Sequence, residues 1–169
     1  MMLHQLQQPL GNTQALAILA EVRRNGSFVQ FAQYLFNPDE RVSRNAGWVL
    51  TKASRPELLV LRPLRNDITT LALTTPSIPL RRLTLAIIER LPMDESEIRT
   101  DLLDYCLFGM RSFDEPAGIQ ALCMKLAFRM CRFYPELAGE FRRTLDCMEI
   151  EHYSPGVRCT YAKAIKGTL

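Results

Sequence analysis

Four segments of this chain resemble one another and recur at a nearly constant interval, which constrains the fold more than any single motif does. They begin at Val42, Leu80, Ile119 and Val157, so the successive spacings are 38, 39 and 38 residues. In each segment the first, fifth, eighth and ninth residues are mostly apolar or small, which is the spacing of one helix face. The pattern predicts repeated helices, and no alternating strand pattern bounded by hairpin turns occurs.

A further helix is predicted between successive repeated segments. Residues 55–58 (Arg-Pro-Glu-Leu) and 134–137 (Tyr-Pro-Glu-Leu) are 79 positions apart, which is two intervals, and residues 96–98 (Ser-Glu-Ile) occupy the equivalent place between them. Proline at the first helical position with an acidic residue beside it is typical of a helix N-terminus. Each interval therefore predicts a pair of helices. A single pair cannot bury its apolar faces, so the pairs are expected to stack on a continuous core.

These features resemble HEAT repeats, which have a similar period, two helices per repeat, and a second helix that opens with a Val-Arg-like pair. Val157-Arg158 and residues 80–82 (Leu-Arg-Arg) match that opening best, whereas Ser43 and Gln120 stand where the family has arginine. Residues 44–50, together with the Tyr-Pro-Glu-Leu segment, are similar to small bacterial HEAT-like proteins. The matching positions in this family are structural, so the resemblance bears on the fold and not on an activity.

The resemblance covers residues 27–169 and implies an all-α fold. We expect an α-α superhelix, a HEAT/armadillo-type solenoid, with about four helix pairs whose second helices line the concave surface. Residues 12–24 predict an amphipathic helix, closed by Asn25-Gly26, that caps the N-terminal end. We expect residues 12–169 to form a single HEAT-like repeat domain and residues 1–11 to be a flexible segment.

The chain carries none of the motifs that mark common enzymes or metal sites. There is no glycine-rich phosphate loop, no Gly-x-Ser-x-Gly and no His-Glu-x-x-His. The five cysteines all lie in apolar helical stretches without a Cys-x-x-Cys pair, which predicts reduced core thiols. The two histidines, His4 and His152, are far apart and have no zinc-type spacing. We expect no catalytic residue, no cofactor and no bound metal.

The N-terminal sequence does not predict a signal peptide. No lysine or arginine precedes Glu21, and the apolar run over residues 15–20 is too short for one. No stretch approaches the roughly 18–20 uninterrupted apolar residues of a membrane helix. These features predict a soluble cytoplasmic protein without a membrane partner.

The charged residues are unevenly divided between the two helix types, although the net charge is only +3. The second helices carry twelve basic and three acidic residues, whereas the first helices carry six basic and eleven acidic residues. A basic surface attracts an acidic peptide, a phosphorylated segment or nucleic acid. The competing explanation is structural, because cations at helix C-termini are favoured by the helix dipole. It applies to Lys52, Arg90, Arg129, Arg132 and Lys166.

The preferred interpretation is a non-enzymatic protein–protein interaction scaffold whose basic concave face holds an acidic segment of another protein. The residues assigned to this role are Arg44, Trp48, Arg81, Arg82, Lys125 and Arg158. Trp48, the only tryptophan, lies off the apolar stripe, and tryptophan beside arginine is typical of interface hot spots. Two alternatives remain open. The first is nucleic-acid binding in a groove of the DNA alkylation-repair type, where Trp48 could stack on a base. The second is a structural subunit of a larger assembly.

Overall fold

The computed structural model describes residues 1–169, and its regular structure is entirely helical. The α-helices are α1 (Met2–Leu6), α2 (Asn12–Asn25), α3 (Phe28–Ala32), α4 (Glu40–Thr51), α5 (Arg55–Leu58), α6 (Arg65–Thr74), α7 (Ile78–Arg90), α8 (Thr100–Gly109), α9 (Ala117–Cys131), α10 (Pro135–Asp146) and α11 (Pro155–Lys166). Short 3₁₀ helices follow at Gln33–Phe36, Leu59–Leu64, Glu95–Glu97 and Ile150–His152. The predicted all-α class is confirmed. No helix is both long and apolar enough to cross a bilayer.

The four repeated sequence segments are the helices α4, α7, α9 and α11, as the periodicity predicts. In α4 the predicted apolar positions are Val42, Ala46, Val49 and Leu50, and each of them is fully buried. Their spacing places them on one side of the helix. The repeat in the sequence is therefore a repeat of buried helix faces.

The helix ends follow the local sequence signals. Ser54 accepts a hydrogen bond from the Glu57 backbone, and the Glu57 side chain accepts one from the Ser54 backbone, which forms a capping box at the start of α5. Ser77 and Ser154 cap α7 and α11 in the same way with their hydroxyls. Gly26 ends α2 in the left-handed conformation, with φ 59°, which glycine adopts without steric cost.

The chain divides into two compact units, Met1–Pro92 and Met93–Leu169, where the sequence analysis expected one domain over residues 12–169. In the first unit α4 packs against α2 and α7, and α7 packs against α6. In the second unit α9 packs against α8, α10 and α11. The repeat period is the same in both units, so periodicity alone did not indicate a boundary at Pro92.

Residues 1–11, for which the sequence analysis expects a flexible segment, include α1, which docks onto α4. Leu6 is fully buried. The Asn45 side chain, which is 6% exposed, donates hydrogen bonds from Nδ2 to the carbonyl oxygens of Leu6 (2.8 Å) and Gln8 (3.0 Å). The anchoring group lies almost forty residues downstream, so no pattern within the first eleven residues could reveal it.

Asn45 gives a direct test of this docking. We expect Asn45→Ala to lower the free energy of unfolding by about 1–3 kcal/mol, because the buried carbonyl of Leu6 and the partly buried carbonyl of Gln8 lose their donor. The exposed Asn12→Ala should change it by less than about 0.5 kcal/mol. Urea denaturation of both variants measures the difference, and equal effects would contradict the anchoring role.

An ion pair between α2 and α5 makes stability depend on pH. The Arg23 guanidinium donates to the Glu57 carboxylate from Nε (2.5 Å) and Nη2 (3.0 Å), and the Ser54 backbone adds a third hydrogen bond (2.7 Å). The hydrogen bond from Arg23, followed by that from Ser54, lowers the pKa of Glu57 from its ordinary 4.5 to about 2. The carboxylate is thus favoured in the folded state.

Since the folded-state pKa of Glu57 is depressed, its contribution to stability is present above pH 4.5 and is lost as the pH falls towards 2. We expect Glu57→Gln to flatten the acid limb of the stability curve in this window. Glu136 is the repeat-equivalent acid at the start of α10, and Glu136→Gln serves as the matched control. Unfolding free energies measured from pH 6 to pH 2 provide the readout, and parallel curves for all three proteins would contradict the prediction.

Candidate functional site

A surface pocket of about 390 Å³ lies where α4, α7 and the segment between α1 and α2 meet, all within the first unit. Helix α4 contributes Arg44 and Trp48, which are four residues apart and therefore share one side of the helix. The remaining lining residues are Pro9 and Leu10 from the N-terminal segment, Asn45 from α4, and Pro79, Arg82 and Leu83 from α7. Three of the six residues assigned from the sequence are thus brought together here.

The two arginines of this pocket have no partner within the chain. Arg44 is half-buried and Arg82 is exposed, and neither guanidinium forms a hydrogen bond or ion pair with the protein. No acidic side chain lines the pocket. The local charge is therefore positive and uncompensated, which suits an anionic group presented from outside.

Trp48 is half-buried and forms the aromatic wall of the pocket. Its neighbours Gly47 and Val49 are buried, so the indole leaves the apolar stripe on one side of α4, as the sequence analysis predicts. The Lys52 ammonium lies 5.4 Å from the centroid of the Trp48 ring, within cation–π range. One face of the ring is therefore already occupied by the cation that immediately follows α4.

Arg81 has a structural role, in contrast to its neighbour Arg82. Its Nη2 donates to the Thr75 carbonyl (2.8 Å) and its Nε donates to the Ala72 carbonyl (3.3 Å), both at the C-terminal end of α6. These carbonyls have no partner inside their own helix. Arg81 thus joins the two helices of one pair, although the sequence analysis assigned it to the binding surface.

Arg90 also has partners within the fold, and they belong to another helix and not to the C-terminus of α7. Its guanidinium donates from Nη1 to the Thr51 carbonyl (2.9 Å) and from Nη2 to the Ala53 carbonyl. Both acceptors lie at the C-terminal end of α4, one repeat earlier in the chain. Some of the basic residues that make up the excess on the second helices therefore form contacts between neighbouring helices.

The other two assigned residues belong to the second unit. Lys125 is half-buried on α9, and Arg158 is exposed in the first turns of α11. Neither forms a hydrogen bond or ion pair with the rest of the chain, so both charges are free. They do not line the pocket of the first unit.

Sequence reasoning missed Pro9, Leu10 and Pro79. Pro79 could have been assigned to the pocket from the sequence, because it precedes Arg82 by three positions and so lies on the same side of α7. Pro9 and Leu10 had no signal of their own, since they line the pocket through contacts that residues 6–8 make with α4, among them the hydrogen bonds from Asn45 to Leu6 and Gln8.

All five cysteines are free thiols. The sequence analysis expected all five in the core, but only three are buried. Cys106, Cys123 and Cys131 are buried, whereas Cys147 and Cys159 are exposed. Burial raises the pKa of the Cys106 thiol and raises that of Cys131 to about 12, so both stay protonated at neutral pH. Cys147 follows the last residue of α10, and Cys159 points away from the buried side of α11. The prediction that these two cysteines lie in the core was therefore wrong.

No group of three His, Cys, Asp or Glu side chains is placed to hold a metal ion.

Repeated helix pairs with a pocket between successive second helices define an α-helical repeat protein. A family model described as HEAT repeat domain matches residues 2–168, so the chain belongs to the HEAT repeat family. The family resemblance found in the sequence is confirmed, and the family match begins earlier, including the residues of α1 and α2. No curated protein and no solved structure matches the chain.

The adjacent arginines of α7 provide a matched pair of variants. We expect Arg81→Gln to lower the free energy of unfolding by about 1–2 kcal/mol, because two helix-terminal carbonyls lose charge-assisted hydrogen bonds. Arg82→Gln should change it by less than about 0.5 kcal/mol, since its guanidinium has no partner. Chemical denaturation compares the two, and a larger loss in Arg82→Gln would refute this division of roles.

Proposed function

We propose that this chain is a non-enzymatic protein-interaction scaffold that holds an acidic segment of another protein, with the pocket of Arg44, Trp48 and Arg82 as the principal contact. HEAT repeat proteins are commonly interaction scaffolds and typically non-catalytic, which supports the general class. The observation that carries the specific proposal is the pair of unpartnered arginines beside the only tryptophan. Arg81 is then a positioning residue for α7, and Lys125 and Arg158 provide a separate basic surface on the second unit.

The chemistry of the pocket favours a carboxylate next to an apolar side chain. A guanidinium presents a planar set of donors that matches a carboxylate in a bidentate arrangement. Pro9, Leu10 and Pro79 supply rigid apolar walls beside these donors. A volume near 390 Å³ accommodates one or two side chains, so the pocket suits one point of an extended peptide.

A nucleic-acid partner fits the same residues less well. Backbone recognition needs several cations along the path of the phosphates, whereas Arg81 and Arg90 are committed to helix-terminal carbonyls. Base stacking on Trp48 would compete with Lys52, which already lies over the ring. These two observations support our preference for the peptide interpretation over the nucleic-acid alternative.

The fluorescence of Trp48 tests the proposal because the signal comes from within the pocket. We expect peptides that contain Asp-Leu or Glu-Leu to change the emission saturably, while Asn-Leu or Gln-Leu counterparts bind at least about tenfold more weakly. Arg82→Gln should weaken the binding of the acidic peptides by a similar factor. The exposed Arg143→Gln on α10 is the control and should leave the affinity unchanged.

Two outcomes would overturn this assignment. Tighter binding of single- or double-stranded DNA, with a steep loss of affinity at high salt, would favour the nucleic-acid alternative. The absence of any response to acidic peptides and to DNA would favour a structural subunit, for which the free arginines have no binding role.

A further inference from the structure

The charged lining of the pocket between α4 and α7 consists of two guanidiniums and no acidic group. Arg44 and Arg82 supply them, and the other lining residues are apolar or neutral. Neither arginine has a partner within the chain, so both charges are open to a ligand. A neighbouring cavity of about 440 Å³ between α1 and α2 differs, because Glu21 and Arg24 both line it and their charges balance. Only the first pocket therefore favours an anion strongly.

The two guanidiniums differ in how well solvent screens them. Arg44 is half-buried on α4, whereas Arg82 is exposed on α7. Solvent and salt screen a partly buried charge less than an exposed one, so Arg44 gains more from a bound anion. The Lys52 ammonium, 5.4 Å from the centroid of the Trp48 ring, adds a third positive charge beside the aromatic wall. A single carboxylate neutralises one of these charges and leaves the others.

A phosphate monoester matches this set of donors more fully than a carboxylate does. It carries a charge of roughly −1.5 to −2 at pH 7 and presents three strong acceptor oxygens. A guanidinium pairs with phosphate in the same bidentate manner as with a carboxylate, but a carboxylate that is held this way has both oxygens engaged by one arginine. The third oxygen and the second charge of a phosphate remain available to a second guanidinium.

We infer that the acidic residue held by this pocket is a phosphoserine or phosphothreonine of the partner segment, bound by Arg44 and Arg82 together. This inference rests on the proposed function and names the ligand class of the same site. The apolar side chain next to the phosphorylated residue would lie against Pro9, Leu10 and Pro79. Phosphorylation of the partner would then strengthen the contact, so the scaffold would distinguish the modified segment from the unmodified one.

Four capped peptides test this assignment, with phosphoserine, aspartate, glutamate or serine before the same leucine. Calorimetric titration at pH 7.5 measures their affinities. We expect the phosphoserine peptide to bind at least about tenfold more tightly than the aspartate and glutamate peptides, because it forms additional charge-assisted hydrogen bonds. The serine peptide should be the weakest of the four. Equal affinities for the phosphoserine and glutamate peptides would contradict the inference and leave the proposed function intact.

The pH dependence of binding reports whether the second negative charge is used. No histidine or acidic residue lines the pocket, so its charge stays constant between pH 5 and pH 7.5. The second pKa of a phosphate monoester is about 6, so lowering the pH from 7.5 to 5 should weaken the phosphoserine peptide severalfold. The aspartate peptide, with a side-chain pKa of about 3.9, should keep most of its affinity. A phosphoserine affinity that does not change over this range would overturn the inference.

Variants of the two arginines separate this inference from the proposed function. Arg44→Gln should remove most of the advantage of phosphoserine over aspartate and leave the aspartate peptide nearly unchanged. Arg44→Lys, which keeps the charge and loses the planar fork, should retain part of that advantage. Arg82→Gln should weaken both peptides, and the exposed Arg143→Gln neither. If Arg44→Gln preserves the advantage, the inference is wrong. If no acidic peptide binds in an Arg82-dependent way, the proposed function falls, and this inference falls with it.

Competition experiments distinguish a phosphorylated protein segment from other sources of a phosphate monoester. Inorganic phosphate and a 5′-phosphorylated oligonucleotide carry the same anionic group without an apolar side chain next to it. Displacing the phosphoserine peptide should therefore require at least about tenfold higher concentrations of either competitor than of a second phosphoserine peptide. Displacement at equal concentrations would show that the pocket takes the phosphate group alone, which would overturn the assignment to a protein segment.

Discussion

The packing of α4 against α7 is the interaction on which the first unit and its pocket both depend. Gly47 allows the close approach, because a Cβ atom at this position would lie 3.3 Å from the Leu83 Cβ and 3.4 Å from the Leu35 Cδ2. Such distances are tighter than a packed core normally tolerates. With the two helices held at this separation, Arg44 and Trp48 on α4 line the same pocket as Arg82 on α7. The site is therefore a consequence of helix packing and not of a local motif.

The arginines of the first unit fall into two groups that composition could not distinguish. Arg23, Arg81 and Arg90 satisfy a carboxylate or helix-terminal carbonyls, so their charge stabilises the fold. Arg44 and Arg82 have no such partner and are available to a ligand. Unpaired helix-terminal carbonyls account for Arg81 and Arg90, and the Glu57 carboxylate accounts for Arg23. The basic excess of the second helices thus combines arginines committed to contacts within the fold with arginines that line the pocket without a partner.

The short N-terminal segment, residues 1–11, contributes to the walls of two cavities of the first unit. Asn45 holds the carbonyls of Leu6 and Gln8, and Pro9 and Leu10, which follow in the chain, line two cavities. The free guanidinium of Arg82 lines one of them. A segment of eleven residues therefore contributes to the walls of both cavities.

The sequence by itself determined the helical class, the repeat period and most helix starts. Each of these depends on interactions within a few residues: the spacing of Val42, Ala46, Val49 and Leu50, or the capping box of Ser54 and Glu57. It also placed Arg44, Trp48 and Arg82 on second helices. Only the tertiary structure decided that Arg81 is committed to α6, that residues 1–11 dock onto α4, and that the chain divides at Pro92. Those outcomes depend on contacts between residues far apart in the chain, which a local pattern does not encode.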